Sequence, residues 1–190
     1  MRVSPFLLWA GLTFLCLPAQ ALEVAGVKIA DTERAGETTL VLNGAGVRTR
    51  LLFKVYVVAL YLPVRQNQAE AVLAAPPPRR VQLTMLRDVA ADTFSEALRK
   101  GLDANTSPAQ RAALAPRIAA FEAHIQSQGE ARAGTVYVLD ETAAGMQLSV
   151  NGRPVGVPIA GSDFFRALLS VWLGEAPVQD DLKRALLGGR

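Results

Sequence analysis

The sequence has very few of the side chains that metal, thiol or nucleophile chemistry requires. Its 190 residues contain one cysteine, Cys16, and one histidine, His124. A zinc site takes three or four such ligands, so the sequence predicts no metal centre, and a lone histidine in a helical segment is best explained as a partly exposed surface residue. No serine stands in the strand–turn–helix setting of a hydrolase nucleophile. No glycine pattern fits a phosphate-binding loop, and we therefore expect no cofactor.

Runs of like charge are also missing. The chain carries 20 basic and 17 acidic residues, for a formal net charge of +3 at pH 7, and the two signs are interspersed along it. A nucleic-acid-binding protein concentrates its basic residues on one face or in one segment. The sequence therefore predicts no nucleic-acid partner, and it identifies no protein partner.

A continuous hydrophobic run without strand or helix periodicity occurs at the N-terminus. Residues 6–17 are apolar, Arg2 precedes them, and residues 19–21 supply the small side chains of a cleavage site. The run is too short for a membrane-spanning helix, which needs about 20 apolar residues, and its pattern is typical of a secretory signal peptide. We predict a signal peptide at residues 1–21, cut after Ala21, and export to the periplasm. A retained N-terminal anchor is the alternative.

Residues 22–190 are then predicted to form one domain, of a size that can bury a hydrophobic core. Cys16 leaves with the signal peptide, so the mature chain has no disulfide. An exported domain without disulfides depends on its core for stability.

The stretch from Asn43 to Pro63 is the most informative part of the chain. A turn is predicted at Asn43–Gly46, because its two glycines can take positive φ. Leu52–Leu62 is rich in Val, Leu and Tyr and carries one charge, which predicts a strand buried on both faces. A second turn is predicted at residues 31–37. Further strands are predicted at residues 22–29, 38–42, 80–86, 135–139, 146–150 and 153–157, the last two joined by the hairpin signal Asn151-Gly152.

Helices are predicted where apolar positions recur every three or four residues. Pro116 should kink or restart one of them. Strands and helices come in separate groups, which predicts an α+β fold with helices packed on one face of a mainly antiparallel sheet. The predicted helices cover residues 66–74, a segment beginning at Asp92 or Thr93, a segment beginning at Ser107-Pro108, residues 164–173 and a tail at 177–187.

Four polar side chains interrupt the apolar stretch: Arg48, Arg50, Lys54 and Tyr56. Polar groups beside a core need partners within the protein or on a ligand. Arg48 and Tyr56 suit an anionic head group, because arginine offers a planar two-pronged donor and tyrosine adds a neutral one. Strand alternation places Lys54 beside them, and Arg50 is expected in solvent. Eight residues of straight strand span about 26 Å, so Arg48 and Tyr56 can share a ligand only if the chain turns near Arg48.

Two motifs in this sequence resemble those of the chalcone isomerase family. The first is N-G-A-G-V-R at residues 43–48, followed by F-K-V-Y-V-V-A-L-Y-L at residues 53–62. The second is L-G-E at residues 173–175, followed by D-L-K at residues 181–183, which is similar to the closing helices of the family. The resemblance implies an open-faced β-sandwich, in which a large antiparallel sheet has helices packed on one face and a ligand cleft lies between the two layers.

The resemblance also implies roles for single residues. Arg48 matches the family arginine that binds the oxygen-bearing end of the substrate. Tyr56, Phe94, Gly101 and Val171 stand where true isomerases have a threonine, a tyrosine, an asparagine and a second threonine. These changes remove polar groups that would stabilise an enolate-like charge. The chain is therefore more similar to the non-catalytic, fatty-acid-binding branch, in which the arginine and a tyrosine hold the carboxylate.

The sequence thus leads to one hypothesis and two alternatives. The hypothesis is a periplasmic binding protein for a fatty acid or a similar amphipathic carboxylate. The alternatives are an intramolecular lyase or isomerase acting on a small carbonyl compound, and an envelope structural or interaction module without a ligand. In the hypothesis Arg48, Tyr56 and Lys54 bind the head group, and Phe94, Leu98, Phe165 and Trp172 line the pocket for the tail.

Overall fold

A computed structural model describes residues 22–189. The predicted signal peptide at residues 1–21 lies outside the described residues. The strands are β1 (Leu22–Val24), β2 (Val27–Ile29), β3 (Thr32–Ala35), β4 (Thr38–Arg50), β5 (Phe53–Leu62), β6 (Arg79–Met85), β7 (Val136–Thr142), β8 (Gly145–Val150) and β9 (Arg153–Ile159). The helices are α1 (Ala69–Ala74), α2 (Ala91–Asn105), α3 (Pro108–Gln126), α4 (Ser162–Leu173) and α5 (Asp180–Leu186).

Seven of the strands form one antiparallel sheet, with β3 to β9 side by side in chain order. The first two strands form a separate hairpin. The predicted α+β class is confirmed, and so is the large antiparallel sheet with helices packed on one face. No helix within residues 22–189 is both long enough and apolar enough to cross a bilayer.

The predicted turn at Asn43–Gly46 is wrong, because β4 continues through these residues and the chain reverses at Leu51 and Leu52. The two glycines serve close packing instead of a turn. A Cβ atom on Gly44 would lie 2.1 Å from the carbonyl oxygen of Ala185 in α5. Helix α5 therefore rests directly on the backbone of β4, and the glycines make this approach possible.

Other boundaries also differ from the prediction. The first predicted strand is divided into β1 and β2 by a turn at Ala25 and Gly26, both with positive φ. The turn predicted at residues 31–37 contains the edge strand β3. Helix α3 is continuous through Pro116, so the helix does not restart there.

Two local sequence patterns are confirmed: the helix start at Ser107-Pro108 and the hairpin at Asn151-Gly152. Ser107 accepts a hydrogen bond from the Gln110 backbone N–H, while the Gln110 side chain accepts one from Ser107, which gives α3 a complete capping box. Asn151 and Gly152 have φ values of 48° and 77°, as the predicted two-residue hairpin between β8 and β9 requires.

The sheet has a core on each face. On the helix face, alternate residues of β5 such as Val58 and Leu60 join the main core with α2 to α5. On the opposite face, Val57, Ala59 and Tyr61 pack with residues of the β1–β2 hairpin. The prediction that both faces of the long strand are covered holds for residues 57–62, whereas residues 52–54 are exposed.

Candidate ligand-binding site

A cavity of about 700 Å³ lies between the sheet and the helices. Its inner part is apolar, because β6, β7, β8, α3 and α4 each contribute buried hydrophobic side chains. A cavity of this size is in the range that holds small organic ligands. The inner wall is formed by Leu83, Met85, Phe121, Leu139, Leu148 and Leu168.

Arg48 and Tyr56 face each other at one end of this cavity. They are direct cross-strand partners in the β4–β5 pair, and opposite residues of an antiparallel pair have Cα atoms about 4.5–5.5 Å apart. Both side chains line the cavity. The turn at Leu51 and Leu52 thus brings together two residues that a straight strand would hold far apart, as the shared-ligand hypothesis required.

The Arg48 guanidinium is half-buried and its charge is not compensated. Its Nη1 donates to the carbonyl oxygen of Thr49 at 2.5 Å and to Oε1 of Gln179 at 3.1 Å. Both acceptors are neutral. Within residues 22–189, no carboxylate forms an ion pair with Arg48. A positive charge beside an apolar cavity attracts an anionic ligand group.

The Tyr56 hydroxyl is held in place by Trp172 of α4, whose Nε1 donates to it at 3.0 Å. The oxygen is used as an acceptor, so the phenolic proton is available to donate to a ligand. Burial raises the pKa of Tyr56, and the Trp172 hydrogen bond and the Arg48 charge oppose that shift to a smaller extent. The hydroxyl is therefore neutral, and a donor, at physiological pH.

Three of the four expected pocket residues line the cavity: Phe94, Leu98 and Trp172. The Phe94 ring stacks on Tyr137, another lining residue, with ring centres 5.8 Å apart. Phe165 lies elsewhere. It is fully buried on α4 under the Arg79 guanidinium, which sits 5.1 Å from its ring centre.

Lys54 is exposed and does not line the cavity. The reason is a β-bulge: Arg48 pairs with Tyr56 and Thr49 pairs with Lys54, so Val55 is an extra residue in β5. An extra residue reverses the alternation of side chains beyond it. The bulge turns Lys54 to the other face of the hairpin and brings Phe53 to the cavity side.

The positions that the resemblance equated with the catalytic groups of isomerases all line the cavity. Gly101 on α2 and Val171 on α4 are in contact, because a Cβ atom on Gly101 would lie 2.6 Å from Cγ1 of Val171. These two helices therefore pack closely beside the cavity. With Phe94 the three positions present apolar surface where an isomerase has polar side chains.

Gln179, just before α5, was not expected at the site. Its Oε1 accepts from the Thr49 backbone N–H at 2.8 Å as well as from Arg48, and its Nε2 donates to the Val47 carbonyl at 3.2 Å. Gln179 thus ties the arginine and its strand to the C-terminal helix. No local sequence pattern marks it, because the contact spans 131 residues.

The cavity mouth carries more positive than negative charge. Arg48, Arg50, Arg87 and Lys100 are among its lining residues, against two acidic ones, Asp88 and Glu96.

One of the two acids is already paired, since Glu96 accepts from Lys100 at 2.7 Å. The excess of positive charge favours an anionic ligand.

No group of three or more His, Cys, Asp and Glu side chains within residues 22–189 is placed to hold a metal ion. His124 is half-buried on α3. Its ring lies against Gly156 of β9, where a Cβ atom would be 2.0 Å from Nε2, so His124 has a packing role.

Residues 21–188 match a protein family described as chalcone isomerase-like. Among solved structures, a crystal structure of a fatty-acid binding protein from Arabidopsis thaliana is similar in fold. The TM-score is 0.66, with 15% sequence identity over 85% of this chain and 92% of that chain. A comparison with curated proteins found no match. The family match covers most of the chain and agrees with the sheet, the helices and the cavity between them, and the chain belongs to the chalcone isomerase-like family.

Proposed function

We propose that this protein binds a fatty acid or a similar amphipathic carboxylate and does not transform it. The observation that carries the proposal is the opposition of Arg48 and Tyr56 at the polar end of an apolar cavity. The guanidinium supplies a charged donor that has no carboxylate partner in the described part of the chain, and the phenol supplies a neutral donor that Trp172 holds in place. These groups match the two oxygens of a carboxylate.

The inner part of the cavity suits the hydrocarbon tail. Each methylene group removed from water contributes about 0.8 kcal/mol, so a long tail supplies most of the binding free energy. The carboxylate adds orientation and specificity, because charged hydrogen bonds are strong in a site of low dielectric. The similarity in fold to a fatty-acid binding protein supports the same ligand class.

The apolar replacements favour binding over isomerisation. Phe94, Gly101 and Val171 line the cavity and offer no side-chain donor to stabilise an oxyanion. An open cavity of about 700 Å³ also speaks against a module whose pocket is filled by its own side chains.

We propose the periplasm as the location, on the basis of the sequence pattern at residues 1–21. Fractionation of the producing cells followed by N-terminal sequencing tests this. A periplasmic protein that begins at Leu22 is expected. A protein that remains with the membrane fraction and begins at Met1 would support the retained anchor instead.

The ligand is tested by extraction and titration. Purified protein should yield fatty acids in a solvent extract, and a fluorescent fatty-acid probe should bind in solution and be displaced by unlabelled fatty acids. Tyr56→Phe removes one hydrogen bond from a neutral donor to the charged carboxylate, which predicts binding about ten- to a hundredfold weaker.

Tyr61→Phe is the matched control. Tyr61 is in the same strand, and its side chain belongs to the core on the opposite face of the sheet, so its replacement should leave the affinity unchanged. An empty extract together with no binding of any fatty acid in solution would refute the proposal.

A further inference from the structure

The tip of the β4–β5 hairpin exposes three consecutive apolar side chains. Leu51, Leu52 and Phe53 are 87%, 93% and 58% exposed. Leu51 also has a φ of 55°, a left-handed conformation that costs a leucine about 1–2 kcal/mol and a glycine almost nothing. Neither burial nor local geometry of the folded chain accounts for leucine at this position. Adjacent exposed hydrophobic residues of this kind mark interaction sites.

The tip borders the mouth of the ligand cavity. Leu51 and Phe53 are lining residues, together with Arg48 and Arg50 on the neighbouring strand. Whatever surface covers the tip therefore also faces the cavity opening.

Basic side chains surround this apolar tip. Arg50 and Lys54 flank it in sequence, and both are exposed. The Arg87 guanidinium lies 4.7 Å from the centre of the Phe53 ring. Protruding apolar side chains with basic neighbours are the pattern of an element that enters the interface of an anionic bilayer.

The shape of the tip favours a bilayer over a folded protein partner. Leu51 and Leu52 expose almost their entire side chains, so they project from the surface instead of forming a flat or concave patch. A projecting pair fits between lipid head groups, where the apolar side chains reach the acyl chains and the basic ones meet the phosphates.

We propose that residues 51–53 insert into the surface of a bilayer containing anionic lipid, so that the cavity mouth faces the membrane. Arg50, Lys54 and Arg87 would contact the anionic head groups. In this orientation a fatty acid can pass between the bilayer and the cavity with its tail shielded from water. The transfer step rests on the proposed function, whereas the docking step needs no ligand.

Vesicle flotation with the purified protein tests the docking. The probes are vesicles of phosphatidylcholine alone and of phosphatidylcholine mixed with phosphatidylglycerol. We expect stronger binding to the mixed vesicles and weaker binding as salt is added. Leu52→Ser should lower the partition coefficient about tenfold, and Lys54→Glu should lower binding to the mixed vesicles on the order of tenfold.

Two matched controls change the same chemistry away from the tip. Val157 on β9 is 75% exposed, and Lys28 is exposed on the β1–β2 hairpin, which packs on the sheet face opposite the helices. Val157→Ser and Lys28→Glu should bind vesicles as the wild type does. The proposal is overturned if the protein does not bind mixed vesicles, if Leu52→Ser binds like the wild type, or if the controls lose as much as the tip variants.

A fatty-acid titration without vesicles separates the two proposals. Neither Leu52 nor Lys54 lines the cavity, so Leu52→Ser and Lys54→Glu should bind fatty acid in solution like the wild type. Tip-dependent vesicle binding without any fatty-acid binding would sustain the docking and refute the proposed function. Self-association that Leu52→Ser abolishes, with no vesicle binding by the wild type, would overturn the docking in favour of a second copy.

Discussion

Arg48 and Arg79 show how the same side chain takes two roles in one protein. Arg79 is 1% exposed, and its Nε donates to Glu141, which is equally buried, at 2.5 Å. Its Nη1 also donates to the Val72 carbonyl at the end of α1 at 2.7 Å. The charge of Arg79 is thus compensated inside the fold. Arg48, in contrast, has only neutral partners among residues 22–189 and faces a cavity.

The Arg79–Glu141 pair gives a prediction about stability. Arg79→Met leaves a buried carboxylate without its partner, which should lower the free energy of unfolding by about 3–5 kcal/mol. The double variant Arg79→Met, Glu141→Leu removes both charges and should recover much of this loss. Urea unfolding of Arg79→Met, Glu141→Leu and the double variant measures the coupling energy of the pair. A double variant no more stable than Arg79→Met would contradict this explanation.

Tyr61 gives a prediction about pH. Its side chain is fully buried and its hydroxyl has no hydrogen-bond partner within the described residues. Burial is the main reason that its pKa rises from 10.0 to about 12, and the charge of Glu33 adds to the shift. The folded-state pKa lies above the unfolded one, so the contribution of Tyr61 to stability is complete below the unfolded pKa and disappears as the pH rises through the folded value.

Between those two pKa values, the free energy of unfolding should fall by about 1.4 kcal/mol per pH unit because of Tyr61. Tyr61→Phe should remove this part of the alkaline loss and cost little at neutral pH, because the lost hydroxyl is unpaired. Urea unfolding of both proteins as a function of pH measures the difference. Parallel curves of unfolding free energy against pH for the two proteins would show that Tyr61 does not cause this part of the alkaline loss.

At the scale of elements, the contact between β4 and α5 holds the polar end of the site. Gly44 meets the carbonyl oxygen of Ala185, and Gly46 meets the Leu182 side chain. Leu182 and Leu186 of α5 are buried in the main core, and Gln179 before the helix binds Arg48. A shift of α5 therefore moves a hydrogen-bond partner of Arg48.

Gly44→Ala and Gly46→Ala should differ in effect. A Cβ atom on Gly44 would meet backbone at 2.1 Å, while one on Gly46 would meet a flexible leucine methyl group at 2.8 Å. Gly44→Ala should lower the free energy of unfolding by about 3 kcal/mol and Gly46→Ala by about 1 kcal/mol. Urea unfolding measures which variant loses more unfolding free energy. A larger loss for Gly46→Ala would show that α5 does not rest on the backbone of β4 at Gly44.

The sequence was sufficient for the class of the fold but not for its closest contacts. Alternating residues in β6 and the Asn151-Gly152 signal predicted their strands, because these patterns depend on near neighbours in the chain. The glycines at positions 44 and 46 were assigned to a turn, because the helix that needs them is about 140 residues away. A glycine can serve either a turn or a close packing contact, and its sequence neighbours alone do not show which.

The candidate site was predictable in part for the same reason. Arg48 and Tyr56 stood out as polar residues in an apolar stretch, and the structure brings them together. Lys54 was misplaced, because the bulge at Val55 leaves no mark in the sequence and reverses the alternation of side chains. Gln179 was missed because its contacts with β4 arise only from the tertiary fold.

At the scale of the whole molecule, hydrogen bonds to the segment that follows α4 connect α2, α4 and α5 beside the cavity. Asn105 of α2 donates to the Ala176 carbonyl and accepts from the Ala176 backbone N–H. Lys183 of α5 donates to the carbonyl of Gly174 at 2.7 Å. The L-G-E motif at residues 173–175 therefore has a structural role: the segment that follows α4 is hydrogen-bonded to both α2 and α5.

The proposed function depends on recognition of a carboxylate by Arg48 at the end of an apolar cavity. The most direct test is the ratio of affinities for a fatty acid and for the fatty alcohol of the same length, measured for the wild type, Arg48→Met and Arg132→Met. Arg132 is 80% exposed and serves as the matched control. The wild type and Arg132→Met should prefer the acid at least about tenfold, and in Arg48→Met this preference should fall severalfold, because Tyr56 is the donor that remains. Equal affinities in the wild type, or a ratio that Arg48→Met leaves unchanged, would contradict carboxylate recognition by Arg48.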